Sequence, residues 1–465
     1  MEGAHAVMRL VVVGGVAAGT KAASRARRVA PEAEITIYQE EPDPSISECG
    51  LPYFLSGKVP GRDRLVARTP EDFARNDIGV LVSHRVEAID PGAKKLSVRN
   101  LATGEEFEDR YDRLLISTGA RAILPPIPGA DLGGVFLLRF LTDADRILAY
   151  IEKHSPRRVA IIGGGYIGLE VAENLRELGM EVTLIQASDR VAANHDPEIS
   201  ERVEAHLAQK GVEVHTSANV EKVSGDGRVR SVHFGGRDLD TDLVVIGVGI
   251  KPSVELASEA GAETGKTTDA IRVDRQMRTS LPDVWAAGDC VESVNLASGE
   301  PAWIPLGDTA NQMGRVAGTN AVLDPGDEKT LEFPGVLGTG IFKVFDMGVG
   351  RTGLSERDAE QAGFQVASAG IDSVSKASYY PGAGKVFIKL ICDVETGRLL
   401  GADIAGDGAD KLVDVCATAI WGRLTIPDLV NIDLAYAPPF GPALSPVTQV
   451  ATILSGRLGR NDKGS

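Results

Sequence analysis

The sequence is poor in cysteine, has no long apolar run and lacks an excess of basic residues. Only four cysteines occur in 465 residues, which excludes a disulfide framework. Glycines or charged residues interrupt the longest apolar stretches, so no segment is predicted to span a bilayer. The net charge of −16 excludes nucleic acid and anionic membranes as general partners. The sequence predicts no metal site.

The bulk composition is that of a large soluble enzyme. An apolar content of 43% and a charged content of 25% are ordinary for globular proteins, and the length predicts about three domains. The segment from Met1 to Met8 has no basic region followed by a long apolar core, so no secretion signal is expected. The protein is therefore predicted to be cytoplasmic.

A glycine-rich turn follows the first aliphatic run. Leu10 to Val13 predicts a strand, and the alanine-rich stretch after the turn predicts a helix. In such a unit the helix N-terminus can hold a pyrophosphate through backbone N–H groups and the helix dipole. The turn residues predicted to bind this first nucleotide are Gly14, Gly15, Val16, Ala17, Ala18 and Gly19, with Val16 in place of the usual middle glycine.

The same unit recurs in the middle of the chain. Val159 to Ile162 predicts a strand, and a helix is predicted to continue to about Leu178. The turn between them has the complete G-x-G-x-x-G pattern. Its predicted nucleotide contacts are Gly163, Gly165, Tyr166, Ile167 and Gly168. The recurrence predicts an α/β protein with two Rossmann-like dinucleotide-binding domains.

A glutamine ends the second strand of each unit, after Ile35 to Tyr38 and after Val182 to Ile185. An acid usually holds the ribose at this position, whereas this chain has Gln39, followed by Glu40, and Gln186. A neutral amide can bond a hydroxyl and does not repel a 2′-phosphate. All three residues are predicted nucleotide contacts, and the choice between NADH and NADPH is left open.

Cys49 lies about ten residues after the predicted strand that ends at Tyr38. No second cysteine is close enough in the sequence to form an internal disulfide, so its sulfur is predicted to react with a ligand. The alternative is a buried small hydrophobic residue. The other cysteines lie in apolar surroundings and are predicted to belong to the core: Cys290, Cys392 and Cys416.

Later landmarks give the domain boundaries. The segments around 116–120 and 244–249 resemble the crossings between the nucleotide domains, with boundaries after residues 118 and 249, and Thr118, Gly119 and Gly249 are predicted cofactor contacts. The run that ends in Gly288 and Asp289 resembles the strand-and-acid element that lets a carboxylate reach the ribityl chain of a flavin; the alternative for Asp289 is a helix cap. The predicted domains are 1–118 and 250–326 for FAD, 119–249 for NAD(P)H, and 327–465 for a C-terminal α+β dimerisation domain.

Several longer motifs carry a specific resemblance. They are Ser45…Cys49…Pro52-Tyr53, GGGYIGLE at 163–170, AAGDC at 286–290, GTGIFKVFD at 338–346, Tyr379-Tyr380-Pro381-Gly382 and Tyr436-Ala437-Pro438-Pro439-Phe440. From about residue 8 to 457 the chain resembles the single-cysteine flavoprotein disulfide reductases. Within them it is similar to the coenzyme A-disulfide reductase and persulfide reductase family.

The resemblance implies a homodimeric enzyme with FAD, NAD(P)H and coenzyme A. Hydride would pass from NAD(P)H to the flavin, and the reduced flavin would open a mixed disulfide between Cys49 and coenzyme A. Glu170 would lie near the nicotinamide and flavin, with a solvated helix surface as the alternative. Ser45 would contact the substrate. Tyr380 and Tyr436 would reach the active site from the partner subunit, although Tyr379 could replace Tyr380.

Two features concern the substrate. Lys21, Arg25 and Arg28 form a cationic stripe at i, i+4 and i+7 on the first helix, which predicts either a site for the coenzyme A phosphates or a solvated face. Glu48 stands where many members of the family have asparagine. Its carboxylate would oppose thiolate formation if it faces the sulfur.

Two alternative functions remain open at the level of the sequence. An NAD(P)H oxidase or peroxidase would cycle Cys49 through sulfenic acid. However, peroxidase relatives carry a histidine in the first glycine turn, where this chain has Val16-Ala17-Ala18. An electron-transfer flavoprotein of the ferredoxin-reductase type would need neither Cys49 nor the tyrosines.

Overall fold

The computed structural model describes residues 7–461, so most of the segment Met1 to Met8 lies outside the described residues. The strands of the described part are, in chain order, β1 (Arg9–Val13), β2 (Glu34–Tyr38), β3 (Ile78–Leu81), β4 (His84–Asp90), β5 (Lys95–Asn100), β6 (Glu106–Arg110), β7 (Arg113–Ile116), β8 (Ala120–Ala122), β9 (Val135–Leu137), β10 (Arg158–Ile162), β11 (Glu181–Ile185), β12 (Val212–His215), β13 (Val220–Gly225), β14 (Val229–Phe234), β15 (Arg237–Asp240), β16 (Leu243–Ile246), β17 (Ile250–Pro252), β18 (Val284–Ala286), β19 (Ser293–Val294), β20 (Pro301–Ala302), β21 (Gly340–Val344), β22 (Met347–Gly353), β23 (Val366–Val374), β24 (Lys385–Asp393) and β25 (Leu399–Gly406).

The α-helices of the same residues are α1 (Ala17–Val29), α2 (Leu51–Leu55), α3 (Pro70–Ala74), α4 (Leu141–His154), α5 (Tyr166–Glu177), α6 (Pro197–Gln209), α7 (Glu255–Glu259), α8 (Gly307–Asn320), α9 (Glu356–Gln361), α10 (Ala409–Trp421), α11 (Ile426–Asn431) and α12 (Pro446–Asn461). Two short 3-10 helices span Glu48–Gly50 and Arg62–Leu65.

The first nucleotide domain is built on a five-stranded parallel sheet in the order β18-β7-β1-β2-β3. Its central strand β1 reads RLVVV, and Leu10, Val11 and Val12 are fully buried. Both faces of this sheet are covered, since residues of α1, α8, β4 and β5 share its core, and its central strand is therefore aliphatic throughout. The predicted first strand agrees with β1 to within one residue. The fifth strand, β18, comes from much later in the chain than the other four.

The second nucleotide domain repeats this plan. Its parallel sheet has the order β12-β11-β10-β16-β9, with β10 at the centre. The glycine turns follow β1 and β10, at the carboxyl ends of the strands, which is where open α/β sheets bind ligands. The prediction of two Rossmann-like domains in an α/β protein is confirmed.

Two short strands link these domains. β8 and β17 pair antiparallel, with Ala120 opposite Pro252 and Ala122 opposite Ile250. The predicted boundaries after residues 118 and 249 lie immediately before them. We retain the domain boundaries as a proposal.

The C-terminal region contains an antiparallel five-stranded sheet, β21-β22-β25-β24-β23. Strands β24 and β25 are almost entirely buried, and α10 and α12 contribute Cys416 and Leu454 to the same apolar core. This is the predicted α+β domain. Within residues 7–461 no helix combines the length and the apolar character needed to cross a bilayer.

Candidate active site

A single large cavity of about 2360 Å³ joins the carboxyl ends of both parallel sheets. Most of the predicted site residues line it: Gly14, Val16, Ala17, Ala18, Gln39, Glu40, Ser45, Cys49, Thr118, Gly119, Gly163, Gly165, Tyr166, Ile167, Glu170, Gln186, Gly249, Gly288 and Asp289. The cavity therefore connects the two dinucleotide turns to the cysteine.

Gly15, Gly19 and Gly168 do not belong to the lining: Gly15 packs against β2 and Gln39, and the two helical glycines pack against the turns. A Cβ at Gly19 would overlap the carbonyl oxygen of Gly14, and a Cβ at Gly168 would overlap that of Gly163. A Cβ at Gly165 would meet no protein atom within 4 Å, so this glycine keeps space free on the cavity side. These cradles fit the pyrophosphates of FAD and of a nicotinamide dinucleotide.

Each strand-end glutamine closes the glycine turn of its own domain. Gln39 Oε1 accepts a hydrogen bond of 2.6 Å from the Gly15 N–H, and Gln186 Oε1 accepts one of 2.6 Å from the Gly164 N–H. The amide group of Gln186 donates to Ser188 Oγ. The sequence suggested a bond from each glutamine to a ribose hydroxyl. In the structure the carbonyl oxygens orient the turns, and the ribose contacts stay a prediction.

Helix α8 brings a further wall to the first nucleotide site, and the sequence analysis missed it. Backbone atoms of Ala18 and Ala22 on α1 lie where a Cβ of Gly314 or Gly318 would stand. This close packing of small residues places the first turn of α8, including Asp308, at the cavity. The signal in the sequence is the G-x-x-x-G spacing from 314 to 318, opposite the alanines of α1.

Cys49 lies in the short 3-10 helix that leads into α2. Its thiol is free and exposed to the cavity, whereas Cys290, Cys392 and Cys416 are free and buried, as predicted. Partial burial in the cavity wall raises the pKa of Cys49, and the nearby carboxylates of Glu170, Glu48 and Asp289 raise it further. The free protein therefore favours the thiol over the thiolate. The contribution of Glu48 has the direction that the sequence predicted, since its carboxylate opposes thiolate formation.

Arg139 connects the cysteine segment to the predicted flavin contact, and the sequence analysis did not identify it. Its guanidinium lies 2.9 Å from Glu48 Oε2 and 3.5 Å from Asp289 Oδ2, and its Nε donates to the Ala120 carbonyl. Burial nevertheless raises the pKa of Glu48 to about 7, against the opposing effect of Arg139. Burial also raises the pKa of Asp289. Glu48 can therefore gain or lose a proton near neutral pH.

The second carboxyl group near Cys49 belongs to Glu170 on α5. The Tyr53 hydroxyl lies 3.2 Å from Glu170 Oε1, and burial raises the pKa of Glu170 to about 7. Glu170 lines the cavity and does not lie on a solvated helix surface. A few residues along, Lys58 forms an ion pair of 2.9 Å with Glu173. These contacts fix the cysteine helix against the second nucleotide domain.

Besides these three glycines, five predicted residues lie outside the cavity wall. They are Lys21, Arg25, Arg28, Tyr380 and Tyr436. Arg25 Nε donates to Thr319 Oγ1 on α8 at 3.0 Å, and Arg28 Nε donates to the Ser24 carbonyl at 3.0 Å. Tyr380 is 39% exposed and Tyr436 is 50% exposed, so both side chains are accessible to a second subunit. A hydrogen bond to Tyr436 raises the pKa of Tyr379.

The described residues contain no group of three or more histidine, cysteine, aspartate or glutamate side chains that could hold a metal. The cavity brings together one thiol, two carboxyl groups whose pKa values lie near 7, and two dinucleotide cradles. This combination defines a flavin-dependent oxidoreductase that exchanges electrons between a pyridine nucleotide and sulfur.

Comparison with known proteins agrees with this class. Residues 8–314 match the family Pyridine nucleotide-disulphide oxidoreductase, and residues 340–447 match its dimerisation domain. The chain therefore belongs to the pyridine nucleotide-disulphide oxidoreductases. It is an FAD-dependent enzyme that uses NAD(P)H and forms a homodimer.

Three similar proteins illustrate the relationship. The NAD(P)H sulfur oxidoreductase (CoA-dependent) of Pyrococcus furiosus is 38% identical, over 96% of this chain and 99% of that protein. The coenzyme A disulfide reductase of Staphylococcus haemolyticus is 32% identical, over 93% of this chain and 96% of that protein. The solved structure of a NAD-dependent persulfide reductase from A. fulgidus is 40% identical in sequence and superposes with a TM-score of 0.92. The match covers 97% of this chain and 83% of that one. A protein named NADH oxidase is also among the relatives.

Proposed function

We propose that this enzyme uses NAD(P)H to reduce coenzyme A disulfide, coenzyme A persulfide or a related low-molecular-weight disulfide through Cys49. The observation that carries the proposal is that the single exposed thiol of the described chain lines the cavity that joins both dinucleotide turns. The names of the relatives from Pyrococcus furiosus and Staphylococcus haemolyticus support coenzyme A as the thiol.

In the reaction, the Cys49 thiolate attacks one sulfur of the substrate disulfide. A mixed disulfide forms between Cys49 and coenzyme A, and the other half of the substrate leaves as a thiolate that takes up a proton. The first glycine turn and Asp289 would hold FAD, which would supply the electron pair that NAD(P)H donates, and the mixed disulfide would return to the Cys49 thiolate and coenzyme A. The overall change is one disulfide, one NAD(P)H and one proton converted to two thiols and NAD(P)⁺.

The residues around Cys49 hold the protons for this chemistry. Glu48 and Glu170 both have a pKa of about 7, so either can carry a proton for a leaving thiolate. The Arg139 guanidinium lies 2.9 Å from Glu48 Oε2 and positions that carboxyl group. The Tyr53 hydroxyl bonds to Glu170 and orients it. We further propose that Tyr380 and Tyr436 of one subunit reach the Cys49 site of the other. The exposure of both side chains in the dimerisation domain supports this arrangement.

The test is the intact mass of the purified, oxidised protein under denaturing, non-reducing conditions. The proposal requires an adduct of coenzyme A size on each chain, released by a reductant and absent from the Cys49→Ser variant. Unmodified wild-type protein that also fails to form the adduct after incubation with coenzyme A disulfide would contradict it.

The runner-up is an NAD(P)H oxidase, as the presence of an NADH oxidase among the relatives indicates. The absence of a histidine from Val16-Ala17-Ala18 argues against a peroxidase. Oxygen consumption in air, compared with disulfide reduction under nitrogen, separates the two functions.

A cytoplasmic location also remains part of the proposal, and the three buried, unpaired cysteines support a reducing compartment.

Glu48 gives a prediction about the reactivity of Cys49. In Glu48→Gln the loss of a negative charge should lower the pKa of Cys49, because Glu48 now raises it. Because the pKa of Glu48 is about 7, the two proteins should react similarly with iodoacetamide at pH 6. At pH 8 the variant should react about threefold faster or more. Glu108→Gln, in an exposed pair with Lys95, is the control. Equal pH profiles for wild type and Glu48→Gln would refute the prediction.

The cationic stripe of Lys21, Arg25 and Arg28 gives a second prediction. If it binds the phosphates of coenzyme A, replacing Arg25 and Arg28 with alanine should raise the KM for coenzyme A substrates about tenfold. The KM for a small uncharged disulfide should change by less than about twofold. Steady-state kinetics with both substrates measure this difference. An equal rise of KM for both substrates would instead indicate a structural effect of losing the hydrogen bond from Arg25 to Thr319.

Gln186 gives a prediction about the nicotinamide. The wild-type enzyme should use NADH and NADPH with a preference below about a hundredfold. In Gln186→Glu a carboxylate keeps the acceptor for Gly164 but repels the 2′-phosphate, so kcat/KM for NADPH should fall about tenfold relative to NADH. Gln39→Glu makes the same change in the first turn and should leave the ratio unaltered. An unchanged ratio in Gln186→Glu would show that Gln186 does not face the 2′ position.

A further inference from the structure

A buried chain of polar side chains joins the second dinucleotide turn to the core of the dimerisation sheet. Tyr166, the first residue of α5, lines the cavity, and its hydroxyl lies 3.1 Å from His195 Nε2. His195 Nδ1 lies 2.6 Å from Asp403 Oδ1 on β25. The His195 side chain is 0% exposed and that of Asp403 is 4% exposed. The three groups are separated by up to 237 positions in the sequence and meet only through the packing of two domains.

One arrangement of donors and acceptors satisfies the hydrogen bonds of Tyr166, His195 and Asp403 together. The Asp403 carboxylate accepts from His195 Nδ1–H, and its second oxygen accepts a bond of 2.8 Å from the Asp196 N–H. His195 Nε2 is then an acceptor for the Tyr166 hydroxyl. The Asn194 amide donates to the same hydroxyl oxygen at 2.8 Å. The phenol therefore both donates and accepts, which leaves its ring little freedom to rotate.

Packing holds the same ring from its face. Tyr166 stacks on Phe342 of β21, with ring centroids 4.4 Å apart and an interplanar angle of 29°. The loop that carries His195 is itself anchored to the dimerisation domain. The buried Lys389 of β24 lies 3.5 Å from Asp196, 3.1 Å from Glu198 and 2.7 Å from Glu356. Three strands of the C-terminal sheet, β21, β24 and β25, thus fix the position of a side chain in the nucleotide cavity.

We propose that His195 and Asp403 are positioning residues for NAD(P)H, which act by holding the Tyr166 ring in the wall of the second dinucleotide site. An apolar pair of similar volume would bury equally well without the cost of burying polar groups, so mere adhesion of the two domains does not require this dyad. The tyrosine follows Gly165 directly and begins the helix whose N-terminus faces the cavity. A change in its position alters the space left for the dinucleotide. This inference concerns the nicotinamide site and does not depend on the identity of the sulfur substrate.

Two substitutions of His195 test its two hydrogen bonds, to Asp403 and to Tyr166, one at a time. In His195→Asn the amide nitrogen can take the place of Nδ1 and keep the bond to Asp403, but nothing remains to accept from Tyr166. In His195→Gln the amide oxygen can take the place of Nε2 and keep the bond to Tyr166. Tyr166→Phe removes only the hydroxyl and retains the stacking on Phe342. The control is His233→Asn, which alters a partly exposed histidine outside the cavity that lies 3.1 Å from Asp238.

The readouts are the Kd of NAD⁺ for the FAD-loaded protein, measured by calorimetry, and the kcat/KM for NADH with ferricyanide as electron acceptor. Loss of one hydrogen bond predicts a rise in Kd of about threefold to tenfold in Tyr166→Phe and His195→Asn. His195→Gln should stay within about twofold of the wild type. The double variant Tyr166→Phe/His195→Asn should not exceed the larger single effect, because both changes break the same chain. The kcat/KM for the disulfide substrate reports the other half-reaction and should remain unchanged.

Three results would overturn the proposal. One is an unchanged Kd in both Tyr166→Phe and His195→Asn. Another is the reverse order, with His195→Gln worse than His195→Asn, which would indicate a purely structural role of the bond to Asp403. The third is an equal loss in both half-reactions together with a lower melting temperature. Because ferricyanide replaces the sulfur substrate, failure of the proposed disulfide reduction would leave these measurements intact and is distinguishable from failure here.

Discussion

Cys49→Ser is expected to reduce the rate of disulfide and persulfide reduction by at least about a thousandfold. A serine hydroxyl can neither form the mixed disulfide nor accept the electron pair, and no other thiol of the described residues is exposed to the cavity. The variant should keep its FAD and its yellow colour, because the cradle formed by the first glycine turn is unaltered. Flavin reduction by NADH under nitrogen should still occur.

Cys392→Ala provides the matched control, since it removes a buried thiol from β24. This variant should reduce the disulfide at close to the wild-type rate per bound FAD. The measurement is the anaerobic consumption of NADH with coenzyme A disulfide, corrected for flavin content. Wild-type turnover by Cys49→Ser would exclude the sulfur mechanism and leave an oxidase or an electron-transfer flavoprotein as the explanation.

Mixing two impaired variants is expected to restore activity if the active site is shared between subunits. One variant is Cys49→Ser, and the other is Tyr380→Phe/Tyr436→Phe. A two-fold dimer has an isologous interface, so each mixed dimer contains one site with both the cysteine and the tyrosines. Random exchange of equal amounts should therefore yield about one quarter of the wild-type number of complete sites.

The measurement requires proof that subunits have exchanged. Native mass spectrometry with one variant carrying a tag quantifies the mixed dimer, and activity is followed in the same samples. Activity should rise above that of both parents in proportion to the mixed species. Full exchange without recovery would show that Tyr380 and Tyr436 act within their own subunit or have no role. Repeating the mixture with Tyr379→Phe in place of Tyr380→Phe identifies which of the adjacent tyrosines contributes.

The sequence by itself determined the two nucleotide-binding units and indicated the cysteine that we propose as the reactive sulfur. Aliphatic strands such as β1 and β10, followed by glycine turns, depend on contacts between near neighbours in the chain, so their pattern is visible without the structure. The spacing of Cys49 after the first unit placed it at the first nucleotide, and it does line the shared cavity. The three remaining cysteines were identified as core residues from their apolar surroundings alone.

The tertiary structure alone decided which polar side chains meet. Arg139 contacts both Glu48 and Asp289, which lie 91 and 150 positions away in the sequence, and neither pairing follows a helical or strand period. Burying a charge is costly unless the group is paired, so buried charged groups usually have a partner. Which residue that partner is depends on how whole domains pack. The same holds for His195 and Asp403, which lie 208 positions apart, and for the first turn of α8. Local sequence specifies a strand, a turn or a nucleophile, whereas the pKa values and orientations around it are set by residues that only folding brings together.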